Sequence, residues 1–205
     1  MESSAPRTFE QFIYRSREFT LTSHTEPINM PSPIRIVEYD PDWSLKFEAE
    51  KNRIIAAVGG RISTLVHMGS TAVPGLCAKP IVDIMAGVSG LGEAEALLPA
   101  LAEFGYDDVS KIEDNDEWFY CLGRAPDEPS ETMKYFHLHL MCEDSDEWKR
   151  HVDFRDYLRL HPDTAADYCT LKRSLAEKFR NQREEYTESK TPFIREVEAK
   201  AAAEL

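Results

Sequence analysis

The chain has 205 residues, 42% hydrophobic and 10% aromatic, enough for one globular core and too apolar for general disorder. Its 37 acidic against 24 basic side chains give a formal net charge of −13, which disfavours broad nonspecific binding to nucleic acid or to an anionic membrane. No stretch approaches the roughly 20 apolar residues of a membrane helix, and the opening MESSAPRTFEQF is unlike a signal peptide, so a cytoplasmic protein is expected. Cys77, Cys121, Cys142 and Cys169 are scattered without a CxxC pair, which speaks against a zinc ribbon or a disulfide scaffold and leaves them as buried or idle thiols.

In chain order, residues 1–33 carry Ser, Thr and prolines, among them Pro27, Pro31 and Pro33, and are expected to form a partly ordered arm, with a single domain over 34–205. PIRIVEYDPDW alternates apolar and polar residues as a short strand does, then turns at Asp40-Pro41. From Trp43 to Val58 the apolar residues recur at helical spacing and stop at Gly59-Gly60. RISTLVHM reads as a strand, GSTAVPGLCAKP as a loop or short helical turn, and IVDIMAGV as an interior strand, apolar on both faces apart from Asp83. A helix from Glu93 to Phe104 closes at Gly105, and an acidic stretch leads to EDNDE. WFYCLG and YFHLHLM then read as a hairpin across a polar loop. The remainder is helical: DEWKRHVDFRDYLRLH, a second helix opening at Pro162-Asp163, and a third over TPFIREVEAKAAAEL. The predicted class is α+β, a small mixed sheet flanked by helices with a C-terminal helical segment.

Two features call for more than packing. A strand that breaks at Gly69-Ser70 and restarts as a helical turn directs backbone N–H groups and a hydroxyl outward, a geometry suited to phosphate or another anion. Asp83, set among Ile81, Val82, Ile84 and Met85, needs a partner, because an unpaired buried charge is very costly. Lys79, a metal or a cationic substrate would each serve. His137-x-His139 places two imidazoles on one face of a strand; with Asp83 they would make a three-ligand metal set if the strands are neighbours. The acids of EDNDE, backed by Trp118, Phe119 and Tyr120, would suit a guanidinium, which takes carboxylates in bidentate fashion and stacks on aromatic rings.

HMGSTAVPGLCAKPIVDI, with HLHLM at 137–141, FRDYLRLHP at 154–162 and Tyr168 to Leu175, closely resembles the signature of the GrpB family over about residues 34–200. That family resembles the polymerase-β-like nucleotidyltransferase fold, in which Gly-Ser follows a strand and acids on the next strand bind divalent metal; Gly69, Ser70 and Asp83 map onto that pattern. The second acid of the pattern falls on Met85, and the third falls near His137 or His139. Two-metal phosphoryl transfer needs a dense carboxylate cluster, and imidazoles suit softer ions than magnesium. One fungal branch of GrpB-like proteins comprises arginine-containing cyclodipeptide synthases, which carry a DDxxE motif; Glu113-Asp114-x-x-Glu117 is similar to it, with Glu in the first place.

The resemblance implies a tRNA-dependent enzyme that joins arginine from arginyl-tRNA to a second aminoacyl group and closes a diketopiperazine. Ser70, Asp83, His137, His139, Asp114 and Glu117 are its catalytic candidates; Gly69, Thr71, Lys79, Glu113, Asp116 and Trp118 are its substrate-binding candidates. Asp83, His137 and His139 form a candidate metal site, although this reaction requires no cofactor. Any tRNA phosphates would meet the bases of the helical tail, such as Lys149, Arg150, Arg155, Arg159, Lys172 and Arg173. The alternatives are a metal-dependent nucleotidyl or phosphoryl transferase and a non-catalytic module that holds a small ligand.

Overall fold

The apolar spacing from Trp43 folds as helix α1 (Asp42–Val58), which buries Trp43, Phe47, Ile54 and Val58 and ends where Gly59 takes φ +64°, a left-handed cap glycine adopts without strain. The computed structural model describes residues 33–114, 117–128, 130 and 135–205, with the backbone alone at 108, 112–114, 117 and 118. The expected N-terminal arm lies outside these residues, apart from Pro33. After α1 come β1 (Thr64–Met68), a single 3-10 turn at Ser70–Ala72, β2 (Ile81–Val88), α2 (Leu91–Glu103), β3 (Asp108–Asp114), β4 (Glu117–Arg124) and β5 (Tyr135–Cys142). Helices α3 (Asp146–Leu160), α4 (Pro162–Lys178) and α5 (Arg183–Glu204) follow.

The strands form one mixed sheet in the order β1-β2-β5-β4-β3. β2 and β5 run parallel, which needs the long crossover through α2 and the β3–β4 hairpin; every other pairing is antiparallel. Alternation sorts the side chains. Val82, Ile84, Leu138, Leu140 and Leu122 pack on one face against Trp43, Phe47, Leu97 and Leu101 of α1 and α2. On the other face Met68, Met85, Cys121 and Met141 pack against Trp148 of α3. The same face carries Asp83 and both β5 histidines, so the site belongs to the face that α3 covers. The three C-terminal helices gather around Tyr157, Leu158, Tyr168, Ile194 and Val197, and Val73 and Leu76 of the loop after β1 are buried among them. The α+β architecture read from the sequence is therefore present, with the tail packed onto the domain.

Three expectations change. The 34–39 segment is not a strand: only Val37 bridges, to Ala78, while the Ile34 N–H donates to the Arg180 carbonyl. Its alternation reflects Ile34 burying against Leu175 and Tyr186 rather than a place in the sheet. The stretch before EDNDE is strand β3, and α5 begins eight residues before TPFIREV, at Arg183, and runs through Pro192. Pro192 is exposed, and the burial of Tyr186, Thr187, Lys190 and Ile194 outweighs the one backbone bond it removes.

Two of the four cysteines are not idle thiols. Cys77 and Cys169 form a disulfide, with Cα atoms 5.5 Å apart, between the loop after β1 and helix α4; Cys121 and Cys142 are free. It closes a loop of 92 residues, and its reduction is expected to lower the unfolding free energy by about 2–4 kcal/mol. Thiol titration of the denatured, unreduced chain checks the pairing: two reactive thiols are expected, and four would refute it.

Candidate active site

The end of β1 and the start of β2 lie side by side, with Met68 opposite Asp83 in the ladder. Gly69 then turns the chain at φ +69°, ψ −171°, a conformation reserved almost wholly for glycine. A Cβ there would stand 2.5 Å from Asp83 Oδ2, so the corner and the carboxylate are in direct contact. The loop is then clamped from α3. Arg159 donates through Nε and an Nη to the Ala72 carbonyl at 3.1 and 2.8 Å, and Arg155 donates to the His67 carbonyl at 3.1 Å.

Parallel pairing of β2 and β5 places Asp83 directly opposite His137. His137 Nδ1 lies 3.1 Å from Asp83 Oδ1, and His139 Nε2 lies 3.6 Å from the same oxygen. Burial would raise the carboxyl, but the hydrogen bond from His137 and the close approach of His139 outweigh it and hold Asp83 well below the usual carboxylate range. His139 is fully buried, and burial outweighs its attraction to Asp83, taking it down to about 4; it is neutral at pH 7. The ring of Tyr135, packed on Gly123, stands edge-on to His137 at 5.5 Å and forms a wall beside it. Two residues beyond Asp83 on the same face, Met85 is wholly buried. The carboxylate thus has two imidazoles beside it and no second acid two residues on.

Lys79 is not the partner of Asp83; its Nζ lies 5.7 Å from the Tyr186 ring. Thr71 is buried and bonded to His67 Nε2 at 3.0 Å, so it braces the turn instead of facing a substrate. His67 is itself stacked on Phe47 and lowered to about 4, chiefly by burial. The acidic stretch lies elsewhere. Gly123 of β4 pairs with His137, and Glu117 is six residues further along β4, on the order of 20 Å at strand rise. Asp114 pairs with Glu117, and Glu113 with Trp118, at that same far end; Asp116 lies outside the described residues. The grouping of Glu113, Asp114, Glu117 and Trp118 with Asp83 in one site is therefore corrected: the hairpin carries them to the opposite end of the sheet.

The basic residues of the tail are engaged within the chain. Lys149 pairs with Asp153, Arg150 with Glu147, Arg155 and Arg159 with Asp156, and Arg173 with Glu38. Lys172 is buried, its Nζ 2.7 Å from Ser70 Oγ. Sequence alone reads Lys172 as one more solvated base of an amphipathic helix; only the fold brings it to a residue 102 positions earlier.

The family model described as GrpB protein matches residues 33–200. The chain belongs to the GrpB family. A UPF0157 protein of Halalkalibacterium halodurans is 32% identical over 98% of this chain and 95% of its own. The glutamate-rich protein GrpB of Alkalihalophilus pseudofirmus is 34% identical over 79% of this chain and 92% of its own. The crystal structure of the conserved protein GrpB from Enterococcus faecalis superposes with a TM-score of 0.69 at 27% identity, covering 82% of this chain and 98% of that one. The GrpB chain has Gly69-Ser70 directly after β1 and Asp83 on β2, with Met85 two residues on and His137 and His139 on β5. Among the described residues, no helix is long and apolar enough to cross a membrane.

Asp83, His137 and His139 each offer one ligand atom, all within 4.8 Å of one another. One carboxylate with two imidazoles fits a single ion of the zinc or iron class and does not fit a pair of magnesium ions, which need oxygen-rich cages. An ion held there would act as a Lewis acid on a carbonyl or phosphoryl oxygen.

Proposed function

We propose that this GrpB chain is an aminoacyl-transferring enzyme, a tRNA-dependent arginine-containing cyclodipeptide synthase that joins arginine from arginyl-tRNA to a second aminoacyl group as a diketopiperazine. The observation that carries the choice of chemistry is the company of Asp83: two imidazoles and, two residues on, the buried Met85. A centre with one carboxylate is poorly made for two-metal nucleotidyl transfer and well made for moving protons. An aminoacyl ester is already activated, so the enzyme must orient two acyl groups, take a proton from the attacking α-amino group and return one to the ribose oxygen. Asp83 accepts the Nδ1–H of His137, which leaves the His137 Nε2 lone pair as the base. His139, buried and neutral behind the same oxygen, keeps Asp83 in place. The choice of arginine rests on the similarity of the 113–117 motif to that of the fungal branch, as a mark of kinship and not as a substrate contact, since the hairpin carries those acids away from Asp83.

The second reading, a metal-dependent transferase, is favoured by the three converging ligand atoms. Expression in a tRNA-competent host, followed by mass spectrometry of extracts, decides between them. Arginine diketopiperazines are expected with the wild-type chain. Soluble protein with no such product overturns the proposal. Because the hairpin acids stand at the far end of the sheet, Asp114→Asn with Glu117→Gln is expected to leave the yield unchanged; loss of product with the fold intact would give those acids a part in the reaction.

A further inference from the structure

We propose that Ser70 and Lys172 form a nucleophilic dyad, in which Ser70 Oγ accepts the aminoacyl group as an ester before the second amine takes it. The inference rests on the aminoacyl-transfer reading above and adds to it a covalent intermediate and a base, Lys172, which the sequence reading offered only to tRNA phosphates.

Lys172 Nζ lies 2.7 Å from Ser70 Oγ and also reaches the Cys77 carbonyl, with the Tyr168 ring 4.5 Å away. The side chain is 2% exposed. Among the described residues no carboxylate pairs with it, and the charges that face it are Lys79 and Arg173. Burial first, then these two cations, push the amine well below the ordinary lysine range. Lys172 Nζ donates to the Cys77 carbonyl and lies within hydrogen-bond distance of Ser70 Oγ; in its neutral form it has two N–H groups and one lone pair, and that lone pair would accept the Ser70 hydroxyl proton. That is the arrangement a serine needs to become a nucleophile.

The parts around the pair hold it in register. Cys169 precedes Lys172 by one helical turn, and its disulfide to Cys77 ties α4 to the segment that supplies the carbonyl. Gly69 and the Arg159 clamp on Ala72 fix the loop on either side of Ser70. Ser70 itself is half-buried and borders a cavity of about 50 Å³ between Arg155, Tyr168 and Glu198, so its hydroxyl is not sealed in. A lysine that merely braced the loop would need only the bond to the carbonyl.

The step balances. Ser70 Oγ attacks the ester carbonyl of aminoacyl-tRNA, the bond to the ribose oxygen breaks, and the serine proton passes through Lys172 Nζ to that oxygen. The α-amino group of the second aminoacyl unit then attacks the seryl ester, an amide forms, and Ser70 recovers its proton.

The test uses the full chain with two probes, a fluorophosphonate and radiolabelled arginyl-tRNA, and peptide mass spectrometry to locate the adduct. Label at Ser70 is expected from both in the wild type and from neither in Ser70→Ala. Lys172→Met and Lys172→Arg are expected to label about 10²-fold more slowly or worse, since neither can accept the proton. Lys172→Arg labelling as fast as wild type overturns the base role, because a guanidinium supplies only charge. No label on the wild type from either probe overturns the dyad whatever the variants do. Unchanged diketopiperazine from Ser70→Ala overturns the dyad and leaves the proposed function standing. Fluorophosphonate label at Ser70 without product from arginyl-tRNA supports the dyad and overturns that function.

Discussion

Asp83→Asn is expected to lower the rate of diketopiperazine formation by about 10³- to 10⁴-fold while the chain stays folded. The carboxylate accepts the Nδ1–H of His137 at 3.1 Å and sits 3.6 Å from His139 Nε2. Asparagine has nearly the same shape, but its amide nitrogen presents hydrogens where the carboxylate presents an acceptor. It therefore either loses His137 or forces the other tautomer, in which Nε2 carries the proton and is no longer a base. His137→Ala removes the base itself and is expected to match Asp83→Asn; the double variant is expected to be no worse than either, since the two act as a unit. Rates within a few-fold of wild type in Asp83→Asn would remove the carboxylate from the mechanism. Circular dichroism and denaturant unfolding of the variants separate a chemical loss from a folding loss.

Glu50→Ala is expected to cost about 3–5 kcal/mol of unfolding free energy. Glu50, on α1, is buried under the sheet face away from the site, where it accepts from the Tyr106 hydroxyl at 2.8 Å and pairs with Arg124 at 3.3 Å. The Arg124 side chain is 5% exposed and also donates to the Phe104 carbonyl and to Asp127. Removal of Glu50 leaves a guanidinium and a phenol short of their buried acceptor, which is the costly half of breaking an ion pair. Glu50→Met with Arg124→Met is expected to recover much of the loss, because apolar groups of similar volume leave no charge to satisfy. Urea unfolding of the two variants checks both statements, and a Glu50→Ala cost below about 1 kcal/mol would show that water reaches Arg124.

Much of this site was legible before any coordinates. Gly69-Ser70 after an apolar strand, and a lone Asp83 in the next, already imply a turn against a carboxylate. The two-residue spacing of His137 and His139 already places both rings on one face. What connected them, the parallel pairing of β2 with β5, depends on a crossover of some 50 residues and is not written in either strand. The acidic hairpin misleads for a related reason. Sequence proximity to WFYCLG and HLHLM brings the 113–117 acids into the right strands, but antiparallel register carries them away from His137 as the chain runs back toward the β3–β4 turn. Strand β3 itself was hidden because Asp107, Asp108, Glu113 and Asp114 overwhelm the alternation that Val109 and Ile112 provide. Lys172 was hidden by its helix, whose neighbours Arg173 and Lys178 share its chemistry and are exposed. The Cys77–Cys169 pair has no local motif, so only the docking of α4 against the loop reveals it.

This centre handles either acyl groups or nucleotides. Purified chain offered radiolabelled arginyl-tRNA in one reaction, and radiolabelled ATP with magnesium and an acceptor in another, separates the two most directly. Deacylation of the tRNA with label appearing in an arginine diketopiperazine, and no transfer from ATP, is the predicted result. Nucleotidyl or phosphoryl transfer that is lost in Asp83→Asn, with the arginyl-tRNA left intact, would contradict it.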